Sequence, residues 1–144
     1  GIAIGGDRVY LANERQRSRI IVVDLKALRV IDHFSVQPSG SRARDVHYSD
    51  LSWFEDALFV LLRESRCVLK VNPKTNRVLA EYDFRDLEHA PEVAYHTRYP
   101  TGTMEGLAVD RHFIWLVTDN NGLGRLRYPE DTRPTLFKCR RPDR

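Results

Sequence analysis

Asp24-Leu-Lys26-Ala-Leu-Arg29-Val30 returns further along the chain as Asn72-Pro-Lys74-Thr-Asn-Arg77-Val78, and this pair decides the fold. The offset is 48 at every position, with Lys, Arg and Val repeated identically. After the first copy come Val30, Asp32, Phe34 and Val36, and after the second Val78, Ala80, Tyr82 and Phe84. Alternation at period two marks a strand with one buried face. An apolar run, residues 20–23 or 68–71, precedes each copy. The repeated segment therefore reads as a turn between two strands, used twice.

Working outward, Val9-Tyr-Leu-Ala-Asn-Glu14 matches Phe59-Val-Leu-Leu-Arg-Glu64 and then Ile114-Trp-Leu-Val-Thr-Asp119, at offsets of 50 and 55. Short strands at 1–5, 51–54 and 106–110 precede them. Tight turns at Gly5-Gly6-Asp7, Glu55-Asp56 and Asp110-Arg111-His112 make the joins, where Gly and Asp tolerate positive φ. Each repeat thus holds strands A, B, C and D in meander order at a period near 50 residues, the size of a propeller blade. The alternative is a β-sandwich with coincidental similarity, against which the register-matched turns argue. The expected fold is all-β: three four-stranded meander blades of a β-propeller, half of a six-bladed ring. One domain spans residues 1–144, with blades at about 1–36, 50–84 and 105–139. In the third repeat, strand C falls at 124–128 or at 134–139. The second choice is preferred and leaves no strand D. Residues 85–92 have room for one helical turn before Pro91 stops it.

Composition narrows the class. A chain that is 42% hydrophobic and 30% charged is globular rather than disordered. The longest apolar run, residues 57–62, suits a buried strand and falls well short of the ~20 residues of a membrane helix. No membrane association is expected. The 23 basic residues face 20 acidic ones without a basic block interleaved with aromatics, so no nucleic-acid partner is expected either. Cys67 and Cys139 read as free thiols, or as a pair in an oxidising compartment. The opening Gly-Ile-Ala-Ile-Gly-Gly has no initiator Met and is already strand-like, as if cut from a longer parent. Three blades leave two open flanks. The expected partners are therefore a missing N-terminal half or a second copy of the chain.

A meander puts the B–C loops and D–A links at one end of the sheets, and that end carries the long segments 15–19, 37–50, 85–104 and 120–133. Long loops on a rigid scaffold are where binding sits. Acids recur there. Asp50 and Glu64 are 14 residues apart, Glu105 and Asp119 again 14, and Glu14 holds the matching place in the first repeat. Each pair is expected to face across its hairpin, with the Asp50–Glu64 turn centred near Ala57. Such acids either cap loop ends by accepting backbone N–H bonds, or converge and need a cation to neutralise them. In the second reading Glu14, Asp50, Glu64, Glu105, Asp119 and Asn120 supply oxygens to a hard cation such as Ca²⁺. Arg42, Arg44, Arg66, Arg98 and Arg125 lie on the same loops, either solvated or suited to a small anionic ligand. The histidines show no metal-ligand spacing, and no Gly-x-Ser-x-Gly elbow, Walker loop or zinc pattern occurs. Trp53 and Trp115 fall within strands, where core packing accounts for them.

Met104-Glu-Gly-Leu-Ala-Val-Asp110, then Ile114-Trp-Leu-Val-Thr-Asp-Asn-Asn121, then Pro134-Thr-Leu-Phe-Lys138, resembles the closing segment of the "esterase-like activity of phytase" propellers. Asp50-Leu-Ser-Trp53 and Leu62-Arg-Glu-Ser65 are similar to the related SdiA-regulated propellers. The resemblance implies a periplasmic or secreted protein, calcium binding in some members, and ester or phosphoester hydrolysis. The chain departs from it in the Arg-rich insert after Asn121 and in spanning about half a propeller. Two functions follow. One is a ligand-binding or scaffolding propeller with a calcium site on the long-loop face. The alternative is a metal-assisted phosphoesterase or esterase, for which no catalytic residue can be named.

Overall fold

The computed structural model describes residues 1–14, 18–40, 46–97 and 102–142. They form three antiparallel sheets, each a simple meander. The first sheet holds β1 (Ile2–Gly5), β2 (Arg8–Asn13), β3 (Arg19–Asp24) and β4 (Arg29–Phe34). The second holds β5 (Tyr48–Phe54), β6 (Ala57–Leu62), β7 (Cys67–Asn72) and β8 (Arg77–Asp83). After the single helical turn α1 (Arg85–Glu88), the third sheet holds β9 (Met104–Val109), β10 (Phe113–Thr118) and β11 (Leu136–Arg140). The all-β expectation and its strands are met within a few residues. In the third sheet, residues 136–140 pair with β10, while Arg125 makes only an isolated bridge to Tyr95. Among the described residues no helix is long and apolar enough to cross a membrane.

The repeated turn is capped in the same way in both copies. Asp24 accepts the N–H groups of Lys26 and Ala27 at 2.8 and 2.7 Å, and Asn72 accepts those of Lys74 and Thr75 at 2.9 and 3.3 Å. Both hairpins then carry a β-bulge at the same step, leaving Ile31 and Leu79 unpaired. The β5–β6 turn is centred between Glu55 and Asp56 rather than near Ala57, because both residues take positive φ, 47° and 58°. That is the two-residue turn whose twist suits a hairpin.

The second sheet explains its own sequence. One face packs on the first sheet, where Leu51, Leu58, Val60 and Leu69 meet Tyr10, Ile20 and Val22. The other packs on the third, where Phe59, Leu61 and Val68 meet Leu107, Ile114 and Leu116. With both faces covered, every residue of β6 is buried, so the run is continuous rather than alternating. The leading strands lie side by side, β5 between β1 and β9. Gly5 is required there, since a Cβ at that position would stand 2.2 Å from the Trp53 ring that stacks on Tyr10.

Candidate functional site

Counted from the hairpin turns, where Val9, Leu58 and Ile114 are equivalent, the registers place Glu14, Arg63 and Asp119 at the same step of the three second strands. Arg63 sits in the middle sheet, and its guanidinium is the hub. Nη2 donates to Glu14 Oε1 at 3.0 Å, Nη1 donates to Glu105 Oε1, and Nε and Nη2 each reach Glu64 Oε1 at 3.3 Å. Glu14, Arg63 with Glu64, and Glu105 come from three different sheets. The converging carboxylates are therefore bridged by a side chain, Arg63, whose single charge offsets only part of theirs. Among the described residues no group of three or more His, Cys, Asp and Glu side chains is arranged to hold a metal ion.

Electrostatics around the hub remain lopsided. Burial pushes the Glu105 carboxyl above its ordinary value, Arg63 pulls it partly back, and the charges of Glu14 and Asp119 push it up again. Burial works against the Arg63 charge, yet Glu105 and Glu64 overrule it and raise its pKa. Glu64 also meets His47 Nδ1 at 2.9 Å, and its Oε2 is buried without a hydrogen-bond partner among the described residues. Three acids thus hold one arginine, one of them also meets His47, and the charge of Asp119 is felt at Glu105. Glu105 reaches this position through a β-bulge that removes it from the pairing of Met104 with Thr118 and Gly106 with Val117. Bulges re-aim side chains in this way. Glu105 and Asp119 consequently do not face each other as a pair; the Asp119 N–H bonds Thr103 O at 2.8 Å. Ser49 is the bulge residue of the second sheet, so Glu105 corresponds to Ser49 and Asp50 to Gly106.

The other expected site residues are spent on structure. Asp50 accepts the N–H of Leu107 at 2.8 Å and so ties β5 to β9, rather than facing Glu64. Asp119 accepts the N–H of Asn121 at 3.0 Å, and Asn120 donates to the carbonyls of Leu123 and Thr132 at 2.6 and 2.9 Å. These are the loop-capping roles of the first reading. Arg66 is paired with the buried Glu88 at 2.7 Å. Arg125, itself buried, donates to Asp131 and to the Val93 and Arg133 carbonyls and lies over the Tyr95 ring. Arg42, Arg44 and Arg98 lie outside the described residues. Both cysteines are free, and burial pushes the Cys67 thiol up to about 12. Trp53 packs on the core as expected. Trp115 instead lies on the face turned away from the second sheet, its Nε1–H donating to Asp110 at 2.7 Å.

Sequence reasoning missed Arg63 because the strand match aligned Glu14 with Glu64, an offset one residue too long. Aligning on the turns, Gly5-Gly6-Asp7-Arg8 on Phe54-Glu55-Asp56-Ala57, puts Arg63 beside Glu14. It also missed a groove of about 410 Å³ between the second and third sheets, lined by Tyr82, Phe84, Leu87, Leu116 and Cys139. No family model matches the chain, and no curated protein matches it.

Proposed function

We propose that the chain is a three-blade section of a β-propeller acting as a ligand-binding module, with its binding site at the loop end of the inner strands. Support for the propeller comes from three successive meander sheets packed face to face, with β1, β5 and β9 adjacent. The observation that carries the binding reading is the convergence of Glu14, Glu64 and Glu105, from three sheets, on one arginine. One guanidinium against three carboxylates leaves an excess of negative charge within the cluster itself, which favours a cationic ligand there over the anionic one suggested by the loop arginines.

Ca²⁺ is the probe that asks whether these carboxylates accept a metal beside or in place of Arg63. Thermal melting with Ca²⁺ and with chelator, on wild type and on Glu105→Gln, should show a rise in Tm by mass action that the variant lacks. Melting temperatures that neither Ca²⁺ nor chelator moves, in wild type and in variant alike, would remove the cation reading and leave the cluster as a clasp between sheets. The hydrolase reading rests on the resemblance of residues 104–121 and 134–138 to the phytase-like propellers. It is tested by turnover of phosphate and carboxylic esters with Ca²⁺ present.

A further inference from the structure

Among the described residues the chain carries both halves of an interface that it uses twice internally, and each half recurs once more with its apolar side chains exposed. The hairpin registers make residues of the three sheets equivalent one by one. Val117 pairs with Leu136 in the third sheet as Leu61 pairs with Val68 in the second and Ala12 with Ile20 in the first. Ile20 and Val68 are 0% and 1% exposed, because the next sheet covers them; Leu136 is 65% exposed. Trp115 occupies the position of Tyr10 and Phe59, the aromatics buried against the next sheet. Lys138 lies over Trp115 at 5.0 Å much as Lys70 lies over Phe59 at 6.0 Å, so this lysine position is compatible with a covered face.

The receiving face repeats as well. In the second sheet it is built on Leu51, Trp53, Leu58 and Val60, and in the third on Leu107, Val109, Ile114 and Leu116. In the first sheet the same positions are Ile2, Ile4, Val9 and Leu11, aliphatic without exception. Leu51 and Leu107 are 3% and 8% exposed, whereas Ile2 at the matching position is 61% exposed and Ile4 beside it 60%. Isolated surface leucines and isoleucines are ordinary, but contiguous apolar faces mark interaction sites.

We propose that a second copy of this chain is the occupant, docked head to tail, with the third sheet of each copy seated on the first sheet of the other. An unmet donor face and an unmet receiver face on one molecule form a heterologous contact. Two copies close six sheets, within the ~4–8 blades that propellers contain. Ring closure rests on the propeller reading above, but not on what the loop end binds.

Light scattering across a concentration series tests this, on wild type, Ile4→Glu and Leu136→Glu. Both substitutions fall on exposed positions, and circular dichroism should show the β structure intact in each. The expected result is a dimer for wild type and a monomer for each variant. An equimolar mixture of the two variants should regain dimers, because each brings the face the other has lost. A dimer that Leu136→Glu leaves intact means that first-sheet faces pair with each other, and overturns the proposal. So does a wild type that stays monomeric at every concentration with its β spectrum unchanged. That outcome would assign the faces to another protein or to further sheets of a longer chain, and would leave the Ca²⁺ melting experiment unaffected.

Discussion

The two ends of the sheets are held by different chemistry. At the turn end, each cap is local: Asp24, Asn72 and Asp110 accept N–H groups two and three residues ahead. At the loop end, Arg63 holds Glu14 and Glu105 at sequence separations of 49 and 42. A local cap fixes one turn and is complete within it. The Arg63 cluster has meaning only once three sheets have packed, so it clasps the assembled molecule rather than any one hairpin.

Removing the hub breaks that contrast most sharply. Arg63→Met leaves Glu14, Glu64 and Glu105 without their cation. Stripping one partner from a buried ion pair costs ~3–5 kcal/mol, and partial exposure of these acids brings the expected loss to about 2–3 kcal/mol in urea denaturation at pH 7. The loss should also depend on pH in a definite direction. The Glu105 carboxyl is raised in the folded protein, first by burial, so its contribution favours folding below the ordinary value of 4.5 and is lost as pH rises through the folded value. Without Arg63 to pull it back the rise is larger. The variant should therefore approach wild-type stability in acid and diverge from it toward neutrality.

Glu88 gives the next effect down. Its carboxylate accepts the Thr103 N–H at 2.5 Å and the Thr103 hydroxyl at 3.1 Å, and meets Arg66 Nε at 2.7 Å. It fastens the link between the second and third sheets. Glu88→Gln keeps the shape and removes the charge, with an expected loss of about 1–2 kcal/mol in the same assay.

Asp110 at the turn end should respond to pH with the opposite sign from Glu105. Its carboxyl is held below the ordinary 3.8 by the Trp115 indole N–H and by the N–H groups of His112 and Phe113. A lowered folded value means stability that is present above the ordinary value and lost as pH falls through the folded one. Asp110→Asn should flatten the acid limb of the stability curve and change neutral stability less than Glu88→Gln does. An acid limb identical to wild type would remove this role.

How much was legible follows the same division. The repeated turn and the meander order could be read because Asx capping and hairpin pairing are local, although the alternation expected from Val30 and Val78 is broken by the bulges at Ile31 and Leu79, which leave both valines exposed. Residues 134–139 are legible as the partner of β10 for the same reason: residues 136–140 alternate in burial and pair with it. Of the acids expected at the loop end, Glu14, Glu64 and Glu105 meet on Arg63, whereas Asp50 and Asp119 cap backbone N–H groups. Their pairing was misread because the bulge at Glu105 shifts the register, and no local signal marks it. Arg63 was overlooked because an arginine beside a glutamate looks like ordinary surface until three sheets bring three acids to it.

The smallest effect compares the two copies of the deciding turn. Leu28 and Asn76 hold the same place, and both take positive φ, 50° and 56°. The left-handed region crowds a Cβ against the following carbonyl, a penalty of ~1–2 kcal/mol that Asn offsets in part through its short polar side chain. Leucine has no such compensation, and Leu28 is 79% exposed, so its side chain secures little by burial. The turn around it is already capped by Asp24 and by the Leu28 N–H to Asp24 O bond at 2.9 Å, neither of which needs the leucine side chain. Leu28→Asn should therefore raise stability by about 0.5–1 kcal/mol, read as a higher urea midpoint with an unchanged slope. Asn76→Leu should lower it by a similar amount. If both substitutions leave the midpoint where it was, the two turns are equivalent in energy as well as in shape, and the repeat carries no local strain to relieve.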